Sequence, residues 1–193
     1  MDLRALVPDH LYHYYEASRG PFVSLSELGL EDAEAILGQI RQDGITFASR
    51  RPSEYLEVRR ILEEKLRTLF SAKGGRPRRA RPHYLILGPC PWVRDWYRSG
   101  AEIRIPLAAV ASIVISFTYG DSFPAMRYQD GKPHRGQVYT LDELPGLVAK
   151  YGLPQEWNPK GEHGPERYIE AQVWDDGPVR PYLVRRAQSG PSV

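Results

Sequence analysis

The order of periodicities along this chain limits what it can fold into more than any single motif does. Apolar residues recur at Leu30, Ala33, Ile36, Leu37 and Ile40, the spacing of a helix with one buried face. Glu31 and Asp32 stand at its positive end and Gly44 marks its stop. A longer helix follows, capped by Ser53, with an inner stripe of Tyr55, Val58, Leu62, Leu66 and Leu69 and an end at Gly74-Gly75. Its remaining face is almost wholly charged and is predicted to face solvent. Strand-like runs dominate afterwards, at His83 to Leu87, Ile103 to Leu107, Ile113 to Phe117 and Tyr168 to Trp174, while an aromatic strand, Leu11 to Tyr15, precedes the helices. Helices early and strands late, without a βαβ rhythm, predict an α+β fold with a mixed or antiparallel sheet and flanking helices.

Finer expectations follow from local chemistry. The run Ile113 to Phe117 is nearly continuous in apolar residues and is expected to be central in the sheet. Ile45 to Ala48 reads as a short strand, and Asp130-Gly131 as the turn of a hairpin between Met126–Gln129 and Gln137–Tyr139. Thr140-Leu141-Asp142-Glu143 is a capping-box pattern opening a helix to Tyr151, and Val179 to Val184 reads as a last strand. The small, polar residues 187–193 read as a frayed tail.

At 193 residues the chain fits one domain, 1–193, able to bury a core without metal or disulfide. No apolar run approaches a membrane span, and Met1-Asp2-Leu3-Arg4 lacks the basic start of a signal peptide; a cytoplasmic protein without membrane contact is expected. Cys90, alone and between two prolines, reads as a turn or core residue. His10, His13, His83, His134 and His163 lack zinc-ligand spacing, so no metal is predicted. The net charge is only +2, but no acid lies between Glu64 and Asp95, an interval that holds Arg76, Arg78, Arg79 and Arg81.

Four places can carry chemistry, each with a plainer alternative. His13, amid tyrosines, either holds a ribose hydroxyl or a nicotinamide-like ring, or is a satisfied core histidine. Ser116 to Ser122 brings hydroxyls and an acid to the end of a strand, where they serve a ligand or simply a turn. Alternation puts Tyr168, Glu170 and Gln172 on one face of the late strand. Glu170 is then either a supported buried acid or an exposed edge residue. The loop from Lys73 to Pro82 suits phosphate clamping through Arg76, Arg78, Arg79 and Arg81, or is solvated surface charge; it matches no P-loop or dinucleotide pattern.

The order of these parts resembles the ADP-ribosyltransferase superfamily, and within it the DarT-like DNA ADP-ribosyltransferases. Tyr12-His13 is similar to that family's opening Tyr-His strand, and Tyr14 stands where the family has Thr. His83 to Pro89, Ala101 to Leu107 and Phe117-Thr118-Tyr119-Gly120-Asp121 resemble its central strand, its next strand and a Phe-Thr-Asp-Gly-type turn. Tyr168 to Val173 resembles the strand bearing the catalytic glutamate. The resemblance implies a split sheet clasping NAD as substrate and a toxin or phage-defence setting, with single-stranded DNA or RNA as partner. It implies that Glu170 stabilises an oxocarbenium-like cation, that His13 orients the nicotinamide ribose, and that Tyr84 or Tyr119 stacks on nicotinamide beside Thr118. Arg59 or Arg81 would meet the pyrophosphate. The rival reading is a non-catalytic nucleic-acid or protein interaction module built on the 73–82 loop. An enzyme requires His13 and Glu170 to face one cleft; a module does not.

Overall fold

The computed structural model describes residues 3–44 and 47–183. Its centre is one sheet built from β1 (His10–Glu16), β2 (His83–Leu87), β3 (Gly100–Pro106), β4 (Ile115–Tyr119) and β5 (Ile169–Val173). The strand order is β3-β1-β2-β5-β4, and every neighbouring pair is antiparallel. Helices flank it: α1 (Leu30–Asp43), α2 (Tyr55–Ala72), α3 (Pro91–Arg94), α4 (Ser122–Arg127), α5 (Leu144–Tyr151) and α6 (Pro154–Trp157). The α+β class with an antiparallel sheet agrees with the order of periodicities.

Register assigns the two faces. One rung runs Arg104, Tyr12, Ile86, Glu170, Thr118, and the next pairs Tyr84 with Gln172 and Ser116. Directly opposed residues share a face, and their chain neighbours take the other. The second face carries Leu11, Leu85, Leu87, Ile105, Phe117, Ile169, Ala171 and Val173 into the main core, closed by Leu144, Leu147 and Val148 of α5. The first face is covered by α2, with Leu62, Leu66 and Phe70 packed on Trp174, and by an aromatic patch of Tyr14, Tyr168, Trp92 and Trp96. α1 packs outside α2 through Ala33 and Leu37 against Tyr55 and Leu56. Gly44 ends α1 in the left-handed region, as its position suggests.

Several local expectations are corrected. Strand β4 is at an edge of the sheet, not its centre; its residues are all buried because Tyr139 covers its outer side, exchanging both backbone hydrogen bonds with Phe117 at 2.8 Å. That bridge replaces the expected hairpin, since Met126 belongs to α4, whose first turn is capped by the Asp121 side chain. Residues 47–50 form a 3-10 turn where a strand was expected, and Ile45 and Thr46 lie outside the described residues. Residues 180–183 are helical after a turn anchored on the Asp176 carbonyl, so the proposed last strand does not form over its described part. The tail at 187–193 lies outside the described residues. Ser53 makes no cap for α2, and the Thr140–Glu143 pair closes a turn ahead of α5.

Candidate active site

Glu170 is the centre of a polar cluster on the α2 side of the sheet. Its strand mate Gln172 donates from Nε2 to the Glu170 carboxylate and to the Thr118 hydroxyl, both at 3.1 Å. The Gln172 carbonyl accepts from Ser116 at 2.9 Å, and Ser116 accepts from the Trp174 indole at 2.9 Å. These buried polar groups therefore satisfy one another in a chain, as burial requires. Glu170 is 7% exposed, and the half-buried Asp121 is the carboxylate that bears on it. Tyr168 donates to Asp121 Oδ2 at 2.9 Å while the Phe123 N–H donates to Oδ1 at 2.8 Å, so Asp121 is fixed in place.

Burial, then the neighbouring Asp121 charge, pushes the Glu170 carboxyl up to about 8, against hydrogen bonds from Ser122 and Gln172 and the Arg59 charge. Two carboxylates in one desolvated place cannot both ionise cheaply. Glu170 consequently favours its protonated form at neutral pH.

A second layer comes from α2. Arg59 donates from Nε to Glu63 at 3.0 Å and to Ser26 at 2.6 Å, and from Nη1 to the Tyr55 hydroxyl at 2.6 Å. Its guanidinium lies 4.6 Å from the centre of the Tyr84 ring. Burial opposes its charge, but Tyr55, Tyr84 and Glu63 together raise its pKa further. Glu63, 1% exposed, also accepts from Ser26 at 2.8 Å, Tyr84 at 3.2 Å and Arg81 at 3.2 Å. A buried carboxylate with four donors is what makes a buried charge tolerable.

The expected site residues divide between the two faces. Glu170, Tyr84, Thr118, Arg59 and Arg81 fall on the α2 side, whereas His13 and Tyr119 do not. His13 follows Tyr12 and so points into the opposite core, stacked on Phe22 at 4.0 Å. The Phe22 N–H donates to His13 Nε2 at 2.9 Å, which leaves Nδ1–H to donate to the Tyr84 carbonyl at 3.0 Å. Burial pushes this imidazole down to about 4, with the Tyr84 carbonyl opposing and His83 assisting the shift. His13 is a neutral fastener for the Phe22 turn, where φ is +56°. The convergence of His13 and Glu170 required above does not occur. Tyr119, adjacent to Thr118, likewise points away, its hydroxyl donating to the Tyr151 carbonyl at 2.6 Å.

The basic loop is docked rather than free. Its backbone donates from Arg78 and Arg79 to the Trp174 carbonyl, and Gly75 lies so close to Phe70 that an added Cβ would meet the ring at 2.5 Å. Arg78 pairs with Asp175 at 2.9 Å, Arg79 with Glu27 and Asp176, and Arg81 with Glu63. Only Arg76 of the four lacks a carboxylate partner among the described residues.

Sequence reading overlooked Glu63 and Ser26, placed Tyr55 only in the inner stripe of α2, and left Asp121 between a ligand-facing position and a turn. The signal for Glu63 was present: at 100° per residue, Arg59 and Glu63 fall about 40° and about 80° from Tyr55, inside the arc bounded by Leu62 and Leu56. Among the described residues no group of three or more His, Cys, Asp and Glu is arranged to hold a metal, and no helix is long and apolar enough to cross a membrane. No family model, curated protein or solved structure matches the chain.

Proposed function

We propose that the chain is an NAD-consuming enzyme whose Glu170 face cleaves the nicotinamide–ribose bond and passes the ADP-ribosyl group to an acceptor. The observation that carries this reading is the juxtaposition of Glu170 and Asp121 on one sheet face with Arg59 and Tyr84. As the bond breaks, its electron pair goes to the nicotinamide nitrogen, which loses its formal charge, and positive charge develops at the ribose C1′ and ring oxygen. A Glu170 carboxyl kept protonated beside Asp121 gives its proton to solvent when a cationic substrate binds, and the resulting pair of carboxylates stabilises the positive charge forming at C1′. Glu170, ionised once the cationic substrate is present, faces C1′ and accepts from a ribose hydroxyl. Asp121 supplies the second negative charge; Arg59 meets the diphosphate and Tyr84 the nicotinamide ring. The acceptor forms its bond to C1′ and releases its proton to a carboxylate. Thr118 acts through Gln172, and His13 has no part in the chemistry. Because Glu170 is almost closed off, a dinucleotide reaches it only if the corner at Asp121 moves. The separation of His13 from Glu170 is what the interaction-module reading expects, while the pairing of Arg78, Arg79 and Arg81 to acids speaks against a module built on the 73–82 loop.

The test is nicotinamide release from millimolar NAD, followed by chromatography beside thermal melting. NAD at a hundredfold its dissociation constant is expected to add about 2.7 kcal/mol of stability. Glu170→Gln and Asp121→Asn are each expected to slow release by about a hundredfold or more while remaining folded. A folded wild-type protein that neither releases nicotinamide nor melts higher with NAD sinks the reading.

A further inference from the structure

A cleft of about 240 Å³ lies between the turn after β1, the end of α1, the turn after α3 and the segment leading into α2, next to Tyr55. Its wall combines three guanidinium groups, Arg19, Arg51 and Arg98, with two aromatic rings, Trp96 and Tyr97. Ile40 and Ala48 add apolar lining. Among the described residues no carboxylate pairs with any of the three arginines. Of the two acids on the wall, Glu16 uses its two oxygens on the backbone N–H groups of Arg98 and Ser99, at 3.0 and 3.2 Å, and Asp43 stands at the exposed end of α1, so the three guanidinium groups face one solvent-screened carboxylate. Arg51 is already oriented, its guanidinium 4.3 Å from the centre of the Tyr55 ring.

From this arrangement we propose a second ligand site, separate from Glu170, for a small planar ring that carries one anionic group, the chemistry of a nucleoside monophosphate. The ring slides between the Trp96 and Tyr97 rings and the Ile40 side chain, where apolar and aromatic surface is buried. The anionic group then meets Arg51, with Arg19 and Arg98 at the exposed mouth, where paired N–H donors match phosphate oxygens. Size limits the ligand. Sites for drug-sized molecules occupy about 300–1,000 Å³, so this smaller cleft accepts a mononucleotide rather than a dinucleotide. The cleft borders the Tyr55–Arg59 layer through Arg51, but none of its lining residues carries a role in the proposed NAD chemistry.

The experiment is calorimetric titration of the full chain with adenosine monophosphate, adenosine and inorganic phosphate in turn. The monophosphate is expected to bind at least about tenfold more tightly than either fragment, because only it fills both halves of the cleft. Arg98→Ala is the main variant, since its side chain is exposed and the fold should be unaffected; Arg51→Ala is the second. Each is expected to weaken binding by about tenfold or more, and Glu170→Gln is expected to leave it unchanged. No heat with ligand at roughly 10 mM, enough to register weak millimolar binding, overturns the proposal. So does monophosphate binding no tighter than phosphate alone, or binding that survives Arg98→Ala and is lost in Glu170→Gln.

Discussion

A proton on Glu170 ties the site's chemistry to the protein's stability. An unfolded glutamate ionises near its ordinary value, whereas the folded carboxyl is pushed up to about 8. Between those values the folded state binds more protons than the unfolded one, so stability falls as pH rises. The loss begins above the unfolded pKa and is complete above the folded one. Each unit of separation is worth about 1.4 kcal/mol, which makes the penalty at about pH 8 on the order of several kcal/mol. Glutamine keeps the shape without the acid. Glu170→Gln is therefore expected to melt close to wild type near pH 5 and roughly 5 °C or more above it near pH 8. Parallel melting curves at the two pH values, with a constant offset, would contradict a buried Glu170 acid. The same variant is the one expected to lose turnover, so gain of stability and loss of function should travel together.

Among elements, α2 and the loop after it show what was legible in the sequence and what was not. The length of α2, the stop after α1 and the strand at His83 to Leu87 follow from period, glycine and β-branched residues, which are local signals. Which charges are buried is decided by tertiary packing. Arg59 and Glu63 read as solvent-facing because they are charged, yet their angular position on the helix puts them under the sheet. The basic loop reads as free because no acid is near it in sequence; its partners, Glu27, Asp175 and Asp176, come from distant segments. At Glu170 the alternation was sufficient to place Tyr168 and Gln172 beside it, while His13 was misplaced because a motif quotes two neighbours, and neighbours on a strand face opposite ways. The docked loop gives a prediction. Replacing Arg76, Arg78, Arg79 and Arg81 together with Ala is expected to cost about 2–4 kcal/mol, chiefly by leaving the buried Glu63 short of a partner. Arg76→Ala alone is expected to change melting little. A quadruple variant that melts like wild type would show that the Arg81–Glu63 contact contributes nothing to the fold.

For the molecule as a whole, the sheet joins its strands in an order far from that of the chain. β5 lies between β2 and β4, and pairs with residues fifty or more positions earlier on both sides, from Tyr119–Ile169 to His83–Val173. Until that strand arrives, β2 and β4 each have an unpaired inner edge, and Phe117, Leu85 and their neighbours have no core to enter. A chain ending before Ile169 is accordingly expected to be collapsed but unfolded, with broad amide resonances and no cooperative melt, and to recover when the missing strand is restored. A sharp melt for the shortened chain would contradict this. During synthesis, then, β3, β1 and β2 can pair early, while the inner edges of β2 and β4 stay open until β5 emerges. Nearly all of its exposure to chaperones and proteases falls in that interval, and it ends when one five-residue strand, Ile169–Val173, slots into the gap left for it.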